Sequence, residues 1–266
     1  MNGQEVMLYA AVCVVALVAA GLTFFSGFGL GTVLLPAFLL FFPPEVAVAA
    51  TAVVHLANNV FKTGLVGKDA HWGVLSRFLP GSAAGALLGA WLLVKVAAGG
   101  GTPLATYMVF GHEAHVTGIK LVVAVLMAGF AVMELVPRFE QWSVDAKWLP
   151  LGGLLSGFFG GLSGHQGALR SAFLLRAGLT KDQFIGTRVL CAVIVDVVRL
   201  AVYSAEFSRM GELKGRVGLL AAAALAAFLG SFVGLRLVKK VTLKAVRVVV
   251  GVGLLLMSAA LAAGIV

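Results

Sequence analysis

The stretch VMLYAAVCVVALVAAGLTFFSGFGLGTVLLPAFLLFFPP, Val6–Pro44, holds no charged side chain. Its first part is apolar for about the 20 residues that a helix needs to cross a bilayer. Its middle, Ser26-Gly27-Phe28-Gly29-Leu30-Gly31, is crowded with glycine. Each glycine lowers helix stability by about 1 kcal/mol relative to alanine, so the stretch reads as a membrane helix that unwinds at depth and restarts. Further uncharged runs lie at Val46–Phe61, Phe78–Val94, Trp148–Leu169, Val217–Leu235 and Val248–Val266. Together they dictate an all-α polytopic membrane protein.

Composition agrees. Of the 266 residues, 61% are hydrophobic and 12% charged, about half the charged fraction of a soluble domain, roughly 25%. A water-soluble enzyme is excluded, and so is a nucleic-acid binder, despite the net charge of +9. In a membrane protein a basic excess reports which loops stay in the cytoplasm. The two cysteines, Cys13 and Cys191, are far apart within apolar runs, which argues against a disulfide framework or a thiolate metal site. No cofactor and no metal is expected. No Lys or Arg precedes Lys62, so the N-terminal segment reads as a retained first helix and not as a secretory signal.

A second glycine-rich break, Gly160-Gly161-Leu162-Ser163-Gly164-His165-Gln166-Gly167, has the same surroundings as the first. Pro36-Ala37-Phe38-Leu39-Leu40 follows one break and Ser171-Ala172-Phe173-Leu174-Leu175 the other. A more polar helix then comes in each half, ending in Asn59 and Lys62 in one and in Asp196 and Arg199 in the other. An internal duplication is the simplest reading: a first membrane repeat over 1–136, a cytoplasmic linker over 137–147 and a second repeat over 148–266. Each repeat is a Gly-broken helical hairpin plus about three transmembrane helices. Basic residues flank the loops near 67–73 and 137–147, the turn near 178 and the loop after Arg236, whereas 97–116 has none. That asymmetry puts the basic loops inside and 97–116 outside, and the two repeats then run inverted through the membrane. Only Arg209, Lys214 and Arg216 fall against it.

The pattern Gly27-x-Gly29-x-Gly31 with Pro36 behind it, answered by Gly161-x-x-Gly164-x-x-Gly167, resembles the sulfite exporter TauE/SafE-like family of membrane transporters over nearly the whole chain. Leu30 interrupts the first glycine run, and Ser171 stands where the proline would repeat. The resemblance implies export or uptake of sulfite, sulfonates or related small organic and sulfur oxyanions.

The residues themselves suggest where such an anion is handled. Asp196 falls inside a span, where an unpaired carboxylate is costly and has a partner or a job. Arg199 lies three residues on, and Arg188 lies eleven before Arg199, so all three can share one helix face. Either they form an ion pair that holds the bundle, or Asp196 carries protons while Arg188 and Arg199 attract the anion. His55 and Asn59 share a stripe with Lys62; His55 titrates near neutral pH and suits proton coupling, and Asn59 donates to an anion. Gly27, Gly29, Gly31, Gly164 and Gly167 expose backbone N–H groups to the anion, or else allow close helix packing. His165, Gln166 and Arg170 stand beside the second break.

The expectation is a proton-coupled secondary transporter of a small anion, multi-pass in the cell (inner or plasma) membrane, with the lipid bilayer and the substrate as its partners. The alternatives are a passive anion channel and a rhomboid-like intramembrane serine protease. The protease reading starts from Gly161-Leu162-Ser163-Gly164 and from His55 and Asn59 at HxxxN spacing, but His165 is expected to be badly placed to activate Ser163. His112, Glu113 and His115 read as a solvated loop, since zinc wants a further ligand.

Overall fold

The structure, a computed structural model, describes residues 3–22, 29–99, 102–109, 111–140, 142–207, 215–237 and 243–266. The chain runs α1 (Gly3–Leu22), α2 (Leu30–Leu39), α3 (Pro44–Val66), α4 (Trp72–Gly99), α5 (Gly118–Leu135), the single turn α6 (Pro137–Glu140), α7 (Leu149–Ser163), α8 (Gly167–Leu174), α9 (Lys181–Phe207), α10 (Val217–Leu237) and α11 (Leu243–Ala262). Among the described residues, α1, α4, α5 and α10 are long and apolar enough to cross a membrane. Their large apolar side chains also cover the outside of the molecule, where Val14, Val125, Leu225 and Leu229 stand exposed. Such a surface suits lipid and not water.

The order of elements in α1–α5 recurs in α7–α11: a first helix, a break, a short helix, a long polar helix and two more helices. Packing follows the same correspondence. α4 lies against α7 and α1 against α10, while α3 meets α9 and α5 meets α11 across the centre.

Two features depart from the sequence reading. The segment 97–116, expected as a simple loop, carries an antiparallel hairpin of β1 (Ala105–Val109) and β2 (His112–Val116). Its Tyr107 hydroxyl donates to the carbonyl of Ala263, 2.6 Å away, and so ties the hairpin to the end of α11. The second break is also shorter than its glycines suggest. α7 stays helical through Gly160, Gly161 and Ser163, and the chain leaves the helix only at Gly164–Gln166.

Those helical glycines have another use. Gly81, Gly85 and Gly89 on α4 interlock with Gly153, Gly157 and Gly161 on α7. A Cβ on Gly85 would lie 2.1 Å from the Leu154 carbonyl oxygen, and one on Gly157 would lie 2.1 Å from that of Ser82. Backbones this close leave room for hydrogen only, the small-residue packing by which membrane helices associate without a hydrophobic driving force. α1 and α10 use the same device, with Gly230 over the carbonyl of Leu17 and Gly234 over that of Gly21.

Candidate functional site

The long polar helices turn their polar stripes toward each other. On α3, His55, Asn58, Asn59 and Lys62 are buried, and on α9 so are Thr187, Arg188, Cys191, Asp196, Arg199 and Tyr203. Steps of three and four residues keep each set on one helix face. In the first half the N-terminus of α2 sits at Gly29. In the second half Gly164 ends α7 with φ of +82°, the left-handed C-cap conformation that glycine adopts without strain.

At the centre lies the carboxylate of Asp196, wholly buried. His55 Nδ1 is 2.7 Å from Oδ2, and Asn59 Nδ2 donates to the same oxygen at 3.1 Å. Arg199 Nη2 pairs with Oδ1 at 2.8 Å, and Gln166 Nε2 donates to Oδ1 at 3.4 Å. Oδ2 therefore faces two hydrogen-bonding groups, while Oδ1 takes one donor from Gln166 beside its ion pair with Arg199. A carboxylate only accepts, so the His55 proton here is on Nδ1. Its Nε2 then turns toward the first break, 3.7 Å from where a Gly29 Cβ would stand. A Cβ on Gly31 would meet the Gly164 carbonyl oxygen at 3.6 Å. The breaks of the two halves thus come together at Asp196 and His55.

The second half supplies the frame. Arg199 Nη1 also donates to the Gly160 carbonyl at 3.3 Å, and the Tyr203 hydroxyl donates to that of Gly161. The Gln166 carbonyl accepts from Ser156 Oγ at 3.2 Å, while its side-chain Oε1 accepts from Arg170 Nη1 at 2.9 Å. Gln166 is therefore a bridge between Asp196 and Arg170. On the first half, Asn58 joins Ser231 of α10 to Lys62: with its amide turned to satisfy both ends, Nδ2 donates to the Ala227 carbonyl and to Ser231 Oγ, and Oδ1 accepts from Lys62 Nζ at 3.3 Å.

Of the residues singled out from the sequence, Gly29, Gly31, His55, Asn59, Gly164, Gln166, Asp196 and Arg199 converge on this centre. Gly27 lies outside the described residues. Gly167 opens α8 and is buried, its carbonyl accepting from Ser171 Oγ at 2.9 Å. Arg188 departs from expectation. It is buried, but its neighbours are Arg170, Cys191, Lys62 and the ring of Phe184, not Asp196 and Arg199. One face of a helix does not mean one cluster, because the eleven residues from Arg188 to Arg199 rise about 16 Å.

His165, expected to be badly placed to activate Ser163, has its Nδ1 3.1 Å from Ser163 Oγ, because the helix ends at Ser163 and the left-handed Gly164 swings the ring back. Ser163 Oγ meanwhile donates to the Phe159 carbonyl at 3.2 Å. The imidazole must then donate to the serine, the reverse of the proton transfer that activates a nucleophile. The ring stacks on Phe130 at 5.1 Å. His115 and Glu113 lie 3.6 Å apart on the exposed hairpin, and the described residues hold no group of three metal-ligating side chains.

The glycine ladder and the contact of Gln166 with Asp196 are not among the expectations from sequence. The ladder has a signal there, glycine at every fourth residue over Gly81–Gly89 and Gly153–Gly161. For the bridge the sequence offers only the spacing of Gln166 and Arg170, one helical turn apart beside the second break, and nothing that links Gln166 to Asp196.

Gly164→Ala is expected to lower stability by about 1–2 kcal/mol through the positive φ alone. Its Cβ would also stand 2.9 Å from Arg199 Nη1 and press the guanidinium off Asp196. Gly29→Ala meets only ordinary contacts and keeps a φ of −100°, so thermal denaturation of the two purified variants should show a loss for Gly164→Ala alone.

The family model described as Sulfite exporter TauE/SafE matches residues 12–261. No curated protein and no solved structure matches the chain.

Proposed function

Since the chain belongs to the sulfite exporter TauE/SafE family of membrane transporters, we propose that it moves a small sulfur oxyanion or organic sulfonate across the cell membrane by coupling it to protons. One observation carries this reading: the glycine breaks of both halves meet at a buried Asp196–His55–Arg199 cluster. Broken helices from two repeats facing a midplane site are the arrangement by which inverted-repeat transporters hold an ion. In this reading the repeats cover 1–136 and 148–266 and run in opposite directions through the membrane, consistent with the corresponding packing of α1 on α10 and α7 on α4.

The roles follow from the contacts. Backbone N–H groups at Gly29, Gly31 and Gly167, with Asn59, His165 and Gln166, form the polar lining that takes the anion, and Gly164, whose N–H caps α7 on the Gly160 carbonyl, gives the chain its turn there. An anion arriving beside Arg199 competes with Asp196 for the guanidinium. The released carboxylate then accepts a proton through His55, whose Nε2 faces the break. Charge is balanced when one anion enters with one proton, which keeps the burial cost low on the way across. Arg188 draws the anion from the side of the α9 N-terminus.

Proteoliposomes loaded with protein and given a pH gradient test this directly. Labelled sulfite and taurine should accumulate above their equilibrium level and collapse with a protonophore. Flux that only ever runs downhill would make the protein a passive anion channel. Cysteine accessibility should place 67–73 and 237–243 on one face and 97–116 on the other; finding the first two on opposite faces would end the inverted arrangement.

A further inference from the structure

Arg170 and Arg188 are 3% and 7% exposed, respectively, and the Nε of each has no hydrogen-bond partner. Neither reaches a carboxylate at ion-pair distance among the described residues. The sole buried carboxylate among those residues, Asp196, already has both oxygens occupied by His55, Asn59, Gln166 and Arg199. Lys62 is buried close enough for its charge to act against both arginines, and buried Cys191 is near enough to feel both charges. Two buried guanidinium groups near enough for their charges to repel each other have lost their hydration, an arrangement that breaks the rule that buried charges are paired. A structural purpose would be met by one arginine and one acid. Phe184 covers a face of Arg188, at 5.4 Å, and Gln166 holds one edge of Arg170. Both side chains are therefore oriented while part of each fork stays unused.

We propose that Arg170 and Arg188, flanked by Lys62, form a second anion seat, which lies about 12 Å along α9 from Asp196 and takes a divalent oxyanion such as sulfate. Guanidinium forks match the paired oxygens of tetrahedral and pyramidal oxyanions. Two uncompensated charges select a dianion, because a monovalent sulfonate leaves one of them bare. The seat lies toward the N-terminus of α9, where Gly186 packs on Val66 and Ala70 and Thr187 Oγ1 accepts from the His71 amide. Its position is that of a waiting place between the loop near 67–73 and the Asp196 centre, with Gln166 touching both. That onward step rests on the transport reading above; the seat itself rests on the arginines.

The test uses the full chain in nanodiscs, with labelled sulfate and with methanesulfonate as the monovalent probe at equal ionic strength. The wild type should bind sulfate at least about tenfold more tightly, the scale of one charged hydrogen bond. Arg188→Gln and Arg170→Gln should each weaken sulfate binding by about tenfold or more and erase the preference, with Arg188→Lys retaining part of it. Equal binding of the two probes by the wild type, no sulfate binding at all, or undiminished binding by folded Arg188→Gln or Arg170→Gln would overturn the seat. The wild-type comparison decides the matter even where a variant fails to fold. Sulfate binding without flux of any anion in proteoliposomes would instead sink the transport reading and leave the seat standing.

Discussion

Asp196→Asn is expected to abolish proton-driven anion accumulation and to lower stability by about 3–5 kcal/mol, the loss found when one member of a buried ion pair is removed. Three side chains hydrogen-bond this carboxylate and Arg199 pairs with it as an ion. An amide accepts on one end only, so Arg199, itself wholly buried, is left facing an NH₂ group. Stability and coupling separate in the double variant with Arg199→Gln. The pair of neutral amides removes the stranded charge, so the melting temperature should recover most of its loss. Uphill transport should not recover, because His55 then has no carboxylate to pass a proton to and the anion has no Arg199 guanidinium to meet. Thermal denaturation and gradient-driven uptake on the same preparations check both halves. If the double variant transports like the wild type, Asp196 is a brace and the proton route lies elsewhere.

Gly85→Leu is expected to prevent α4 and α7 from packing and to leave little folded protein. Even the first added carbon would sit 2.1 Å from the Leu154 carbonyl oxygen and 2.7 Å from the Phe158 nitrogen, both backbone atoms. Neither atom can give way without moving a whole helix. Overpacking by single methylenes costs about 1–3 kcal/mol where side chains yield, so Gly85→Ala should approach or exceed the upper end. The matched controls are Gly129→Ala and Gly253→Ala, also in helices but with nothing within 4 Å of the new carbon. Those should change stability by no more than about 1 kcal/mol, and favourably, through helix propensity. Monodisperse yield and melting temperature across the four variants give the comparison. A well-folded Gly85→Leu would mean that α4 and α7 do not meet as described. Since α7 carries Gly164 at its end, milder ladder variants should also disturb Arg199 and reduce transport beyond their loss of stability.

Much of the site was legible in the chain because intramembrane polarity is rare. Asp196, Arg199, His55 and Asn59 stand out against apolar surroundings, where each charge must have a partner. Their spacing of three and four residues states that each pair shares a helix face. Arg188 satisfied the same angular argument and still joined another cluster, since an angle on a wheel carries no information about depth along the axis. The glycines near Gly160 were ambiguous for a related reason. Glycine serves both an unwound turn and a tight helix contact, and only the neighbour across the gap distinguishes them: α4 for Gly161, Arg199 for Gly164.

Hydropathy, glycine content and the sparsity of charge are local properties, and they settle the membrane class, the existence of two breaks and the repeated order of elements without any contact being known. Which polar groups meet is not local. His55 and Asp196 are 141 residues apart, and Asn58 reaches Ser231 across 173. Their meeting depends on how α3 and α9 are rotated and how deep each sits. That is set by helix packing elsewhere, where Gly85 and Gly157 let α4 and α7 close to backbone contact and carry Gly164 in beneath Arg199. Close packing couples every helix to its neighbours, so the pairing of Asp196 with His55, and the burial of Arg170 and Arg188 without a carboxylate of their own, arise only when the whole bundle is assembled.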